Sequence, residues 1–228
     1  IKKFYNDEYF NEAKHNNPEQ YKQAVIDADI YMANYLAYAI DRGNKFHVLC
    51  QQYLIKTHKL SHELFPDLNK EIVINMSEVE CILFDDVKQY LDRITDIKGI
   101  EIPVISNSLR FAGTLDIVCR YEDMPCIMDL KGSTKAPKVY KRNGWFLQET
   151  GYAIAGEETY GFSKLFGQPV DNLVTICGRE DAIGSKRKDK VFKSTVDDHH
   201  TKLLRSIVNY RDLQAQALNA QPMDGVPW

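Results

Sequence analysis

With 228 residues, 44% of them apolar and 27% charged, the chain can bury one sizeable core and has the composition of a globular protein, not of a disordered, fibrous or membrane one. A net charge of -3 excludes general attraction to nucleic acid, so such a ligand has to be held by local basic patches. No apolar run approaches the roughly 20 residues that span a bilayer, and five cysteines without a C-x-x-C pair argue against zinc and against a secreted disulfide framework.

In chain order, Pro18 to Arg42 carries Val25, Ala28, Met32, Tyr35, Leu36 and Ala39 at helical spacing. Gly43 is expected to end that helix before another runs from about Asn44 to Thr57. Ser77 and Glu80 form a capping-box pattern for a third helix reaching Ile94, with Val79, Ile82, Leu83, Val87 and Leu91 on its apolar side. Residues 1–95 are therefore the mainly helical part of a single domain, and 96–218 its α/β core. Strands begin at Gly99, where Ile100, Ile102 and Val104 alternate with Glu101, Pro103 and Ile105, and Pro103 marks an edge strand. With a turn at Asn107-Ser108, Ile102 pairs with Gly113, Val104 with Phe111 and Glu101 with Thr114.

The stretch from Gly113 to Lys131 reads as a hairpin with a two-residue loop at Glu122-Asp123. Tyr121 then pairs with Met124, Cys119 with Cys126, Ile117 with Met128 and Leu115 with Leu130, which makes one face wholly apolar. The other face carries Thr114, Asp116, Val118 and Arg120 against Lys131, Asp129, Ile127 and Pro125. Asp116 opposite Asp129 repels, and Glu101 joins the same face, so the pattern calls for a compensating cation, most simply a divalent metal. Cys119 facing Cys126 also allows a bridge under oxidising conditions.

A basic loop follows, with Lys131, Lys135, Lys138, Lys141 and Arg142 interleaved with Tyr140, Trp145 and Phe146. Gly144 to about Leu165 reads as a helix whose small residues Gly151, Ala153, Ala155 and Gly156 allow close packing on the sheet. Asp171 to Arg179 and Lys190 to Val196 read as strands, joined by a second basic cluster of Lys186, Arg187, Lys188 and Lys190. A last helix from Asp197 to Leu218 carries Leu203, Leu204, Ile207, Val208 and Leu213, and the tail 219–228 is expected to pack poorly. His15, His58, His62, His199 and His200 match no pattern and read as surface residues.

A carboxylate on one strand and Asp-x-Lys on the returning strand suit metal-dependent phosphodiester hydrolysis. Hard oxygens bind magnesium or manganese, and a lysine can orient water or balance developing charge. On its own the triplet is usually a solvated strand face. Four stretches together carry more: Arg42-Gly43-Asn44-Lys45-Phe46-His47; Ile100-Glu101 with Ala112-Gly113-Thr114-Leu115-Asp116; Met128-Asp129-Leu130-Lys131 with Ser133, Thr134 and Lys135; and Gln148 with Tyr152 four residues on. In this order, over roughly residues 42 to 156, they resemble the PD-(D/E)XK nuclease superfamily and within it the RecB-type exonuclease branch, particularly its mitochondrial genome-maintenance and phage groups. Leu115 stands where the name-giving proline would be, and Gly132 where a threonine is usual.

The resemblance implies a restriction-endonuclease-like α/β fold, with a central mixed β-sheet flanked by helices and an N-terminal helical elaboration. It implies a metal-dependent DNA exonuclease, acting on single-stranded DNA with free ends and leaving a 5′-phosphate, in repair or recombination. The implied metal ligands are His47, Glu101, Asp116, Asp129 and the Leu130 carbonyl, for one or two Mg2+ or Mn2+ ions. Lys131 would act with Glu101, Asp116 and Asp129 in catalysis. DNA contacts fall to Gln148, Tyr152, Ser133, Thr134, Lys135, Lys138, Lys141, Arg142 and Trp145. Iron-sulfur members of the branch use four cysteines, three of them near the C-terminus; here the last is Cys177, so no cluster is expected. A structure-selective endonuclease and a catalytically inactive DNA-binding module of the same fold are the alternatives. A monomer in the cytoplasm is the default expectation, and a chain starting at Ile1 leaves targeting undetermined.

Overall fold

A computed structural model describes residues 14, 16–60, 76–182 and 190–219. Lys186, Arg187, Lys188, His15, His62 and the tail beyond Asn219 lie outside the described residues. The elements are α1 (Pro18–His58), α2 (Glu78–Leu91), β1 (Ile94–Ser106), β2 (Phe111–Tyr121), β3 (Met124–Ser133), α3 (Val139–Tyr160), α4 (Phe162–Phe166), β4 (Asn172–Arg179), β5 (Val191–Thr195) and α5 (Val196–Asn219). The chain divides into two compact units, 1–45 and 46–228. In the first, the α1 residues Ile30, Tyr35, Leu36 and Ile40 are exposed. The second holds the sheet.

Five strands lie in the order β1-β2-β3-β4-β5. The first three form an antiparallel meander, β4 runs parallel to β3, and β5 returns antiparallel to β4. A parallel neighbour needs a crossover, and α3 with α4 supplies it between β3 and β4. Helices cover both faces. On one, Phe46, Cys50 and Leu54 of α1 and Leu83, Val87 and Leu91 of α2 join Ile117, Cys119, Met128, Leu130 and Ile176. On the other, Phe146, Ala153 and Ala155 of α3 and Phe162 of α4 join Leu115, Val118, Ile127, Leu173 and Cys177. The protein is thus α/β, with a mixed sheet flanked by helices. Gly178 lets α2 come close, because a Cβ there would stand 2.7 Å from the backbone oxygen of Leu83.

Several expectations are corrected. Gly43 does not end a helix: α1 runs through it, and no neighbour crowds the position of a Cβ there. The Ser77/Glu80 capping box is present, but α2 stops at Leu91, and β1 starts at Ile94 rather than Gly99. The turn between β1 and β2 takes four residues, Asn107–Arg110, not two. Glu158 of α3 stabilises the wider turn by accepting hydrogen bonds from Ser106 Oγ and Asn107 N, both at 2.8 Å. The register therefore moves by two residues, to Ile102↔Leu115, Pro103↔Thr114 and Val104↔Gly113. Thr114 pairs with Pro103, and Glu101 falls between the pairs Ile100↔Ile117 and Ile102↔Leu115, at the level of Asp116.

The β2–β3 loop and the pairs Tyr121↔Met124, Cys119↔Cys126 and Ile117↔Met128 are as read from sequence. The ladder ends there, so Leu115↔Leu130 and Asp116↔Asp129 do not form, and Leu115 packs with Val118 on the α3 side. β1 changes sides at the same level: Ile100 belongs to the first core, whereas Ile102 and Val104 meet the second. At the switch Glu101 has φ 52°, a left-handed conformation that a non-glycine residue adopts at a cost of order 1–3 kcal/mol. Helix α3 begins at Val139 instead of Gly144, so Lys141 and Arg142 lie on a helix, and Gly161 with φ 65° ends it. His199 is not a surface residue. It is buried, hydrogen-bonded through Nε2 to Ser194 Oγ at 2.8 Å and packed on Phe146. On α5, Leu204, Val208 and Leu213 are exposed.

Candidate metal centre

Helix α1, the kinked middle of β1 and β2, and the end of the β2–β3 ladder bring His47, Glu101 and Asp116 together. One ligand atom from each lies within 4.8 Å of the others. His47 Nδ1 is 3.5 Å from Asp116 Oδ2 and 3.8 Å from Glu101 Oε1. Its Nε2 is 2.7 Å from the Leu130 carbonyl oxygen, which can only accept, so Nε2 carries the proton and Nδ1 faces the acids. The Leu130 carbonyl, read from sequence as a ligand, accepts the histidine N–H with one of its two lone pairs and so orients the ring. The Leu130 N–H donates to Asp116 Oδ2 at 2.8 Å, and Gln51 Nε2 donates to Glu101 Oε1 at 2.5 Å.

Asp129 stands apart from this trio, on the face covered by α3. It is 3% exposed, and Lys131 Nζ hydrogen-bonds its Oδ1 at 2.7 Å while lying 2.6 Å from Oδ2. Oδ2 has no hydrogen bond of its own.

The electrostatics follow from crowding acids in a dry place. Burial and the Asp129 charge push the Asp116 carboxyl up to about 6. Burial works against the His47 imidazolium, yet the Glu101 hydrogen bond and the charges of Asp116 and Asp129 outweigh it and hold its pKa above the ordinary value. Burial likewise opposes the Lys131 ammonium, and the adjoining Asp129 carboxylate overcomes it.

The donor set suits a divalent cation. Two carboxylates and an imidazole converge, and the histidine has the backbone-carbonyl partner typical of metal-bound imidazole. His47, Glu101 and Asp116 can hold such an ion, with Asp129 and Lys131 beside them.

The remaining residues read from sequence surround this centre in part. Tyr152 packs against Gly113, where a Cβ would fall 2.6 Å from its ring, and Gln148 Nε2 donates to Tyr152 Oη at 2.8 Å. Ser133 Oγ donates to the Lys135 carbonyl at 2.7 Å, and Thr134, Lys135, Lys138 and Lys141 are exposed. Arg142 lies over the Phe192 ring at 4.9 Å, with half-buried Trp145 against the same ring. The sequence reading missed Gln51, Glu149 and Thr175. Gln51 was legible as the residue four after His47. Glu149 was legible as a carboxylate at i, i+4, i+7 with Ala153 and Gly156, on the packed face of α3.

Among the described residues no helix is long and apolar enough to cross a membrane. The chain matches no protein-family model and no curated protein.

Proposed function

We propose that this protein is a metal-dependent DNA exonuclease with a restriction-endonuclease-like core, hydrolysing phosphodiester bonds from free ends of single-stranded DNA. The observation that carries this reading is the meeting of His47, Glu101 and Asp116 within 4.8 Å next to the Asp129–Lys131 pair. A Mg2+ or Mn2+ ion held by these groups would polarise a phosphate and offset the charge that builds up as the ester breaks. His47, fixed by the Leu130 carbonyl, and Glu101, fixed by Gln51, keep the donor atoms in place before any ion arrives. Lys131 places its ammonium at the edge of the acids, where it orients a water or meets an anionic oxygen. Exposed Lys135, Lys138 and Lys141, with Trp145, Gln148 and Tyr152, provide phosphate contacts and stacking faces that suit a single strand.

The test is a time course on end-labelled single-stranded and duplex DNA with Mg2+ and Mn2+ compared, for the native chain and for Asp116→Asn and Lys131→Ala. The expected result is degradation by the native chain alone. Degradation of linear but not circular strands would separate exonuclease from endonuclease action. Undiminished activity in folded Lys131→Ala or Asp116→Asn would overturn the assignment.

A further inference from the structure

Within the unit 1–45, α1 carries a stripe of aliphatic side chains that stays open to water. Ile26, Ile30, Ala33, Ala37, Ile40 and Asn44 follow one another at intervals of four, three, four, three and four, the heptad spacing that brings successive residues to one side of a helix. All six are exposed. Ile30 and Ile40 are each 54% exposed, and Leu36 on the border of the stripe is 59% exposed. Tyr35 on the opposite side keeps a hydroxyl for water, whereas branched aliphatic groups have none. A continuous apolar strip of this kind marks an interface.

The order of sizes says what fits it. Counted outward from residue 35, the stripe reads the same in both directions, with Ala33 and Ala37 nearest and Ile30 and Ile40 beyond them. A two-fold interface requires such self-complementarity, because residue i of one copy meets j of the other while j meets i. Laid antiparallel on a copy of itself, α1 sets Ile30 against Ile40 of the second copy and Ala33 against Ala37, and Leu36 meets its own copy beside the axis. The small central pairs let the backbones approach, and the isoleucines close the ends. Charge selects the direction. From Gln23 to Asp41 the helix has three acids, Asp27, Asp29 and Asp41, and no cation; Asp41 is paired with Lys45 at 2.7 Å. A parallel pair would crowd Asp27 and Asp29 of both copies at one end. The antiparallel pair sends them to opposite ends, toward an Asp41–Lys45 pair. We propose that residues 26–44 of α1 form an antiparallel, two-fold interface with a second copy of this chain. A strip about 27 Å long and one helix wide, about 10 Å, is small beside the ~800 Å2 that each partner gives to a standard interface, so the dimer is weak and concentration-dependent.

The experiment is analytical ultracentrifugation of the full chain from about 1 µM to about 0.5 mM, for the native protein, Ala37→Glu and Tyr35→Glu. The native chain is expected to pass from monomer to dimer. Ala37→Glu, which sets like charges together near the axis, should dimerise at least tenfold more weakly, and Tyr35→Glu should match the native chain. A native chain that stays monomeric throughout overturns the proposal, and so does equal weakening by the two substitutions. Direction is read by disulfide trapping in Cys81→Ser, which removes the exposed native cysteine. Ile30→Cys and Ile40→Cys chains, when mixed, are expected to cross-link to each other and neither to itself; Ile30→Cys linked to its own copy overturns the antiparallel arrangement. Circular dichroism checks folding, and should Ala37→Glu fail to fold, the trapping decides alone.

Discussion

His47 Nε2 lies 2.7 Å from the carbonyl oxygen of Leu130, and that contact leaves Nδ1 turned toward Asp116 and Glu101. The residue just after Asp129 thereby orients a helix side chain 83 positions earlier in the chain, and the strand carrying Asp-x-Lys helps build the neighbouring ion site through its backbone.

Replacing His47 removes a donor and leaves Asp116 and Glu101 facing each other. His47→Ala is expected to weaken Mn2+ binding by at least tenfold, since loss of partners that merely orient ligands already costs 10–100-fold. Calorimetry measures it, and unchanged affinity in a folded variant would exclude His47 from the site.

Asp116 gives the metal-free protein a pH dependence of definite sign. Its folded value is about 6 against an ordinary 3.8, so between about pH 6 and 4 the folded state holds a proton that the unfolded chain has released. The contribution to stability is fully present below about pH 4 and is lost as pH rises through 6. A rise from 3.8 to about 6 corresponds to roughly 3 kcal/mol. In chelator, lowering the pH from 7.5 to 5 should therefore raise the melting temperature of the native chain relative to Asp116→Asn. Parallel pH profiles would refute the carboxyl's raised value. Saturating Mn2+ should reverse the trend, because an ion requires the ionised carboxylate.

Gly113 and Gly178 are both closed to a side chain, with different consequences. A Cβ on Gly113 meets the Tyr152 ring at 2.6 Å, and one on Gly178 meets the backbone oxygen of Leu83 at 2.7 Å. A ring can swing aside, whereas a helix backbone cannot. Gly113→Ala is expected to displace Tyr152, raising KM for single-stranded DNA several-fold with less than about 1 kcal/mol lost in stability. Gly178→Ala is expected to cost about 1–3 kcal/mol in urea unfolding. The reverse pattern would mean that Tyr152 has no part in substrate binding.

Gly144 supplies the contrast. It lies within α3, and nothing stands within 4 Å of a Cβ there. Gly144→Ala should stabilise the protein by about 0.5–1 kcal/mol through helix propensity, read as a higher urea midpoint at unchanged slope.

Local chemistry explains what the sequence disclosed. The Glu122-Asp123 turn and the cross-strand cysteines, with sulfurs 3.8 Å apart, follow from alternation and turn preference, which act over a few residues. The capping box at Ser77 is equally local. The β1–β2 register was not legible, because the carboxylate that widens its turn is Glu158, about fifty residues downstream. The side switch at Glu101 was hidden for a related reason: a period-of-two reading assumes an unbroken pleat, and a single residue at φ 52° breaks it. Asp116 and Asp129 were found as a pair, but the fork between their strands, which gives one to His47 and the other to Lys131, depends on tertiary packing.

The outermost strand offers a last consequence. β1 borders the sheet, and an unpaired border invites a strand from another molecule. Here Pro103 has no N–H to offer, and its carbonyl accepts from Tyr160 Oη at 2.8 Å. Ile105 N donates to Thr159 Oγ1 at 3.0 Å, and the Ile105 carbonyl lies 2.9 Å from the same hydroxyl. The ladder also slips between Thr95 and Gly99. Helix α3 thus acts as a selvedge along this rim, blunting the intermolecular strand addition that seeds aggregation.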